Sequence, residues 1–282
     1  MLTLFVDNKQ INTNRIKFSD GAVSFNLEDF PANVGRVHIA VDSKYKVGEL
    51  LDELSQLTDA VGQTDYYGTV SLYLPYLPYA RADRKFSEKG NRGLLNFMYM
   101  LSEMGITKLI TVDPHNEAVL LQIAEDVGIS VKFTTQQEAF HYTLSREHIS
   151  PYQTWDYVIA PDKGAKSKAL SCAAHFNLKL VECTKERDVT TGKLSNPVVP
   201  KRLDGAKCLI VDDLCDGGYT FIQLAEELRK QGAVSVSLYV THLIASKGLK
   251  VLTDYVDKIY TYQTCCGYVS MQDVINFNKG EI

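Results

Sequence analysis

Cysteine is scarce in this 282-residue chain: six residues, at 172, 183, 208, 215, 265 and 266, with no Cys-x-x-Cys spacing. That scarcity argues against a disulfide scaffold and against a zinc site, and it fits a reducing, cytoplasmic setting. The adjacent Cys265 and Cys266 read as small side chains suited to burial. Long apolar runs are missing too: none approaches the roughly 18–20 residues of a membrane span. The opening MLTLFVDNKQ lacks a basic stretch followed by a long apolar one. A soluble, unsecreted protein is expected. Charge of one sign is not in excess, since 30 Lys and Arg stand against 34 Asp and Glu. Nothing in that balance favours a nucleic-acid or membrane surface. With 45% apolar and 23% charged residues, disorder and collagen-like order are excluded. The length suits one large domain or two of ordinary size, at about 100–150 residues each.

Within this balanced chain, two short segments are locally basic: Arg81-Ala82-Asp83-Arg84-Lys85 and Lys185-Glu186-Arg187. Such islands suit a small polyanion, phosphates above all, or simply a solvated loop. Around them the periodicity alternates. Runs at 36–42, 68–74, 107–113, 155–160, 206–213 and 234–240 read as strands. Leu50, Leu51, Leu54, Leu57 and Val61 fall at helical spacing, as do Leu94, Leu95, Met98 and Leu101, then Phe221, Leu224, Ala225 and Leu228. Gly105, Gly128 and Gly232 stand where a helix ends in a left-handed residue before the next strand. The pattern predicts an α/β protein with parallel sheets covered on both faces. An echo supports duplication: Leu101, Gly105 and His115 recur 127 residues on as Leu228, Gly232 and His242. The polar stretch 134–151 marks the boundary, dividing the chain into 1–140 and 141–282, with the last 15 or so residues expected to pack on the first domain.

The most specific chemistry lies at Cys208-Leu-Ile-Val-Asp212-Asp213-Leu-Cys-Asp216-Gly217-Gly218-Tyr219-Thr220. An apolar strand ends in two acids, and a Gly turn then opens a helix. Ligands of open α/β sheets bind beyond the carboxyl ends of strands. Backbone N–H groups at a helix N-terminus carry partial positive charge and suit a phosphate dianion. Glycines let the backbone approach it, and Thr220 adds a hydroxyl. The two carboxylates would repel phosphate, so they are better suited to sugar hydroxyls or Mg²⁺.

This strand and turn resemble the phosphoribosyl-binding loop of the type I phosphoribosyltransferase fold. Further segments resemble the ribose-phosphate pyrophosphokinase family, which makes phosphoribosyl pyrophosphate (PRPP). Pro78-Tyr79-Ala80-Arg81-Ala82-Asp83-Arg84-Lys85 is similar to its Pro-Tyr-Ala-Arg-Gln-Asp-(Arg/Lys)-Lys segment, and Asp113-Pro-His115 to its Asp-Leu-His. Pro161-Asp162-Lys-Gly164 resembles its pyrophosphate loop, Lys185-Glu-Arg187 the start of its mobile catalytic loop, and Thr241-His242 its Thr-His-Gly. Phe18-Ser19-Asp20-Gly21 resembles a loop that reaches ATP in a neighbouring subunit. There are departures. Ala22 and Ala82 replace Glu and Gln, Gly217 and Tyr219 replace Thr and Gly, Lys163 and Ala165 replace Ala and Gly, and Leu243 replaces Gly. The ten or so residues between strand 2–6 and Phe18 are also too few for the family's first helix.

The resemblance implies two tandem type I phosphoribosyltransferase-like domains with mainly parallel sheets and the active site between them. The implied reaction moves pyrophosphate from ATP to the anomeric hydroxyl of ribose 5-phosphate, with Mg²⁺. Lys185, Arg187 and His115 would be catalytic. Arg81, Asp83, Lys85, Phe18, Asp20 and His115 would bind ATP. Asp212, Asp213, Asp216, Gly217, Gly218, Tyr219, Thr220 and Arg187 would bind ribose 5-phosphate, while His115, Asp113 and Asp162 would hold metal. His242 is expected to be structural. A homo-oligomer, dimer or hexamer, is implied, with neither nucleic acid nor membrane as partner. Two alternatives are a catalytically silent regulatory subunit, suggested by the altered phosphate loop, and a PRPP-consuming phosphoribosyltransferase, which needs no Arg81–Lys85 segment.

Overall fold

In this computed structural model the described residues are 2–85, 87–184 and 197–280. The chain divides into two units, Met1–Thr134 and Thr135–Ile282. The first contains β1 (Leu2–Val6), β2 (Lys9–Ile11), β3 (Ile16–Lys17), β4 (Val23–Ser24), β5 (Val37–Val41), α1 (Val47–Gly62), β6 (Val70–Tyr73), α2 (Gly93–Glu103), β7 (Ile106–Val112), α3 (Glu117–Val127) and β8 (Ser130–Thr134). The second contains α4 (Gln136–Arg146), α5 (Pro151–Thr154), β9 (Tyr157–Ala160), α6 (Lys166–His175), β10 (Lys179–Glu182), β11 (Lys207–Cys215), α7 (Tyr219–Lys230), β12 (Ser235–Leu243), α8 (Lys250–Thr253), β13 (Lys258–Thr264) and α9 (Met271–Lys279). Among the described residues, no helix is long and apolar enough to cross a membrane.

The first sheet runs β2-β1-β5-β6-β7-β8. Strands β5 to β8 are parallel, and β1 is antiparallel to both its neighbours. Helix α1 buries Leu50, Leu54, Leu57 and Val61 against it, and α2 buries Leu94, Met98 and Leu101, all expected from helical spacing. Leu51 and Leu95 are only half-buried, whereas Phe97, outside the expected stripe, is fully buried. Each fully buried side chain of this size contributes about 1.5–3 kcal/mol. Gly105 and Gly128 close α2 and α3 at φ 75° and 72°, in the left-handed region where a side chain would be strained.

The second sheet, β10-β9-β11-β12-β13, is wholly parallel. Its central strand β11 is covered on both faces, so Cys208, Leu209, Ile210 and Val211 are all fully buried, which is why its sequence is a continuous apolar run. On one face sit Phe221, Leu224, Ala225 and Leu228 of α7; on the other, Phe140 of α4 stacks near Trp155 and Tyr239. In both sheets the parallel strands end at segments that can hold ligands: 113–116 in the first, 161–165 and 216–218 in the second.

Two sequence expectations are corrected. The division falls at Thr134/Thr135, six residues before 140/141. Thr135 opens α4 through a capping box with Glu138, and Phe140 and Leu144 belong to the second unit's core. Residues 271–280, expected to pack on the first domain, belong to the core of the second unit. Helix α9 lies on β13, with Val274 in the second core and Asn278 bonded to both the N–H and the carbonyl of Ile259.

Candidate functional site

Strand β11 delivers Asp212 and Asp213 to its carboxyl end, and residues 216–218 turn sharply into α7. Gly218 sits at φ 79°, and a Cβ there would lie 2.7 Å from Leu252 Cδ2 and 3.2 Å from its Cγ. Conformation and space both require glycine at this position. A Cβ on Gly217 would meet nothing closer than Lys247 Cγ at 3.9 Å. The first helical donors to find an acceptor, Phe221 and Ile222, both reach Gly218 O. The N–H groups of Tyr219 and Thr220 therefore stand at the open start of the helix, where no preceding turn supplies a carbonyl. The Tyr219 ring does not cap this opening. Its hydroxyl accepts from Gln223 Nε2 at 2.9 Å, one turn along, which fixes the ring on the flank of α7.

The two acids are not equivalent. Asp212 Oδ1 accepts from the Asp213 N–H at 2.9 Å. Burial, and next the neighbouring Asp213 carboxylate, hold the Asp212 carboxyl well above the usual range, with a smaller push from Asp162. Asp162 reaches this cluster because β9 and β11 are paired in parallel through Ile159 and Ile210. Burial pushes Cys215 up to about 12 and raises both Cys265 and Cys266. Cys265 is buried as the sequence suggests, whereas Cys266 is half-buried, at φ 62°.

In the first unit, an open cavity of about 470 Å³ is lined by Tyr76, Tyr79, Ala80, Arg81, Ala82 and His115. It brings together Arg81 and His115, two of the residues that the resemblance assigns to ATP. The 79–82 turn is pressed onto α2: Ala82 N–H donates to Tyr79 O, Leu94 N–H donates to Ala82 O, and a Cβ on Gly93 would lie 2.8 Å from Ala82 Cβ. Tyr79, in the cavity wall, and Asp113, two residues before His115, both hold left-handed backbone at φ 60° and 41°. Such strain in non-glycine residues concentrates at functional sites. Asp83 lies beside this cavity, and its Oδ2 accepts from Asn116 Nδ2 at 3.0 Å. Sequence reasoning missed Asn116, whose Oδ1 also accepts from Val119 N–H to cap α3. The capping position before Glu117 was the available signal. Lys85 and Arg84 are exposed.

Other expected site residues are placed differently. Phe18, Ser19, Asp20 and Gly21 form the tip of the β3–β4 hairpin, where Phe18 is 53% exposed and Asp20 Oδ1 accepts from Ala22 N–H. Asp162 Oδ1 accepts from Gly164 N–H at 2.9 Å and Ala165 N–H at 3.1 Å. Two backbone amides of the segment that resembles the pyrophosphate loop are thus taken by the chain's own carboxylate. Asp113 is 1% exposed, so it supports the turn beneath His115 and is not presented to a hydrated ion. His242 is buried in β12 against Gln263 Nε2, in keeping with a structural role. Lys185 and Arg187 lie outside the described residues. Among the described residues, no three His, Cys, Asp or Glu side chains could hold a metal together.

The phosphoribosyl transferase domain family matches residues 143–267, a stretch that contains the 216–220 turn. A ribose-phosphate pyrophosphokinase from Saccharolobus solfataricus is 29% identical over 178 residues, 63% of this chain and 58% of that protein. The chain spans 56 to 58% of the length of this and two further curated relatives of the same name. A solved phosphoribosylpyrophosphate synthetase from Mycobacterium smegmatis has the same fold, with a TM-score of 0.75 at 20% identity over 90% of this chain and 80% of that one. An Enterococcus faecalis protein provisionally named ribose-phosphate pyrophosphokinase 1 is 30% identical over 237 residues, 83% of this chain and 69% of its own. Identity at that level over more than two-thirds of both sequences, together with the shared fold, shows that the chain belongs to the ribose-phosphate pyrophosphokinase family.

Proposed function

We propose that the chain transfers pyrophosphate from ATP to the anomeric hydroxyl of ribose 5-phosphate, giving PRPP and AMP. The observation that carries this reading is the first-unit cavity that joins Arg81 to His115. A transferase that consumes PRPP needs the phosphate turn alone. A synthetase needs a second site that grips a nucleotide's phosphates, and the fixed fork of an arginine suits that task. Ribose 5-phosphate enters at 216–220, where Tyr219 and Thr220 amides meet its phosphate and Asp212 and Asp213 accept from its hydroxyls. Arg81, His115 and the exposed Lys85 hold the triphosphate; the chemistry needs its β-phosphorus in line with the attacking oxygen. Lys185 and Arg187 stabilise the charge that grows on the phosphate oxygens.

Mg²⁺ suits this donor set, because it is usually held by one or two side chains with water and substrate phosphates and needs no complete protein cage. In the first unit His115 would hold one ion, and in the second the Asp162 carboxylate would hold another. When bound, it neutralises charge on the bridging oxygens. The exposed apolar hairpin residues Ile16 and Phe18 support a homo-oligomer, and six cysteines, none of them in a disulfide, suit a cytoplasmic setting.

A second reading, a silent regulatory subunit, is favoured by the amides of Gly164 and Ala165 being occupied by Asp162. One assay separates the readings. The protein is incubated with ATP, Mg²⁺ and ribose 5-phosphate, and AMP and PRPP are measured together. Equal yields of both support the synthetase; absence of both supports the silent subunit.

A further inference from the structure

We propose that Asn116 is a positioning residue for the nucleotide: its side chain clasps the 79–85 segment to the His115 turn, and the cavity keeps its shape because of that clasp. This inference rests on the nucleotide reading of the first-unit cavity and adds to it a residue outside every motif singled out in the sequence.

Two segments that are 33 residues apart must meet for Arg81 and His115 to line one cavity. Neither is held there by regular structure. After β6 the chain leaves the sheet and makes tight turns at 77–82, with Tyr79 left-handed at φ 60° and 43% exposed. After β7 it turns at Asp113, left-handed at φ 41° and followed by Pro114, a combination that disfavours ordinary helical or strand continuation. Both turns store backbone strain, and strained segments relax unless their surroundings fix them. The 79–82 turn is anchored on one side, by Leu94 N–H to Ala82 O and by the Tyr79 ring 5.8 Å from that of Phe97. On the other side, Asn116 Nδ2 donates to Asp83 Oδ2 at 3.0 Å.

Asn116 suits this task because it makes two bonds with two different ends. Its Oδ1 accepts from Val119 N–H at 3.3 Å, so the side chain is already oriented as the cap of α3. The remaining amide hydrogens then point away from the helix, towards a carboxylate. A bond to a charged acceptor is among the stronger ones. Serine could supply the cap but could not reach Asp83. Aspartate could supply the cap and the length, but it would set one carboxylate against another.

The test uses the full chain. Asn116→Ser and Asn116→Asp both retain a good helix cap, so both are expected to fold with melting temperatures close to the parent. The KM for ATP should rise about tenfold or more in each, the size of losing a hydrogen bond to a charged group. The KM for ribose 5-phosphate should not change, and kcat should fall less than threefold, because the clasp shapes a binding site and touches no reacting atom. Calorimetric titration with ATP alone should show the same weakening. If both variants bind ATP as the parent does, or if kcat falls while the KM for ATP stays fixed, the clasp is not a positioning device. If the parent itself neither binds ATP nor forms AMP, the nucleotide reading fails and the proposed role of Asn116 fails with it. Parent binding with unchanged variants would refute the clasp alone.

Discussion

Replacing Gly218 with alanine puts the phosphate turn to a direct physical test. At φ 79° an L-residue pays about 1–2 kcal/mol for left-handed backbone. The new Cβ would also lie 2.7 Å from Leu252 Cδ2, and Leu252 is fully buried and cannot swing aside into solvent. Overpacking of a filled core costs a further 1–3 kcal/mol or so. The sum, about 2–5 kcal/mol, is a large part of a domain's net stability. Gly217→Ala is the matched control: its Cβ has ordinary space at 3.9 Å, and its backbone is not left-handed. That change should cost nothing, or stabilise by about 0.4–1 kcal/mol through the unfolded chain. The chain's single tryptophan, Trp155, is buried in the same unit, so its fluorescence reports this unit's unfolding. With a urea dependence of about 2 kcal/mol per molar, Gly218→Ala should lower the midpoint by roughly 1–2.5 M. The expected companion effect is a loss of ribose 5-phosphate affinity, since relief of the clash moves α8 or the turn. Equal midpoints for the two alanine variants would refute the assignment of Gly218 as a conformational and steric requirement.

Three further outcomes are expected. Gly217→Thr restores a hydroxyl donor where the backbone leaves space for it, and should lower the KM for ribose 5-phosphate about tenfold; an unchanged KM would mean the turn does not hold the phosphate. Asp212→Asn should stabilise the second unit at pH 7 by about 0.5–2 kcal/mol while weakening sugar binding. The sign follows from the raised carboxyl. Between the ordinary carboxylate range and its folded value the native state keeps a proton that the unfolded chain has lost, so parental stability falls as pH rises. The gain from the substitution should therefore vanish at about pH 4 and below, near the unfolded value, and a gain that persists there in Trp155-monitored urea unfolding would contradict it. Lys185→Ala should cut kcat by about 10²–10³-fold with little change in the KM for ribose 5-phosphate, and an unaltered kcat would remove Lys185 from the mechanism.

Much of this architecture is legible in the sequence where burial is two-sided. Strand β11 announces itself because four successive residues are fully buried, and α7 because its buried positions recur at helical spacing. Gly105, Gly128 and Gly232 were readable as helix ends because a positive φ leaves few other choices. Strands β8 and β10 lie at sheet edges with half their residues in solvent, so SVKFT and KLVE carry little pattern. Helix α4 was similarly hidden, since a polar stretch with a capping box and one buried stripe reads as a boundary until Phe140 and Leu144 are seen in a core. At the site, residue types with one plausible chemistry were legible: the paired acids, the glycine turn, the basic segment. What sequence could not supply was the partner of each carboxylate. Asp162 turns back on its own loop, and Asp83 reaches a residue 33 positions away.

The duplicated units show why identical letters at identical spacing need not share a role. His115 and His242 each stand ten residues after a helix-ending glycine, and the strands that lead to them, β7 and β12, are each second from an edge of their sheet. Strand β12 continues through His242 to Leu243, paired with Leu214 and Gln263 on either side, and the imidazole is buried against the Gln263 amide. Strand β7 stops at Val112. There Asp113 turns left-handed, and Pro114 has no N–H with which to extend a ladder. His115 is therefore released to the exposed rim of the cavity beside Arg81. A proline and one strained aspartate, not the histidine itself, convert a buried position into one exposed at a cavity. In the second unit the strand runs on at that point, and the proposed sugar site lies one strand away, at the Asp212–Asp213 end of β11.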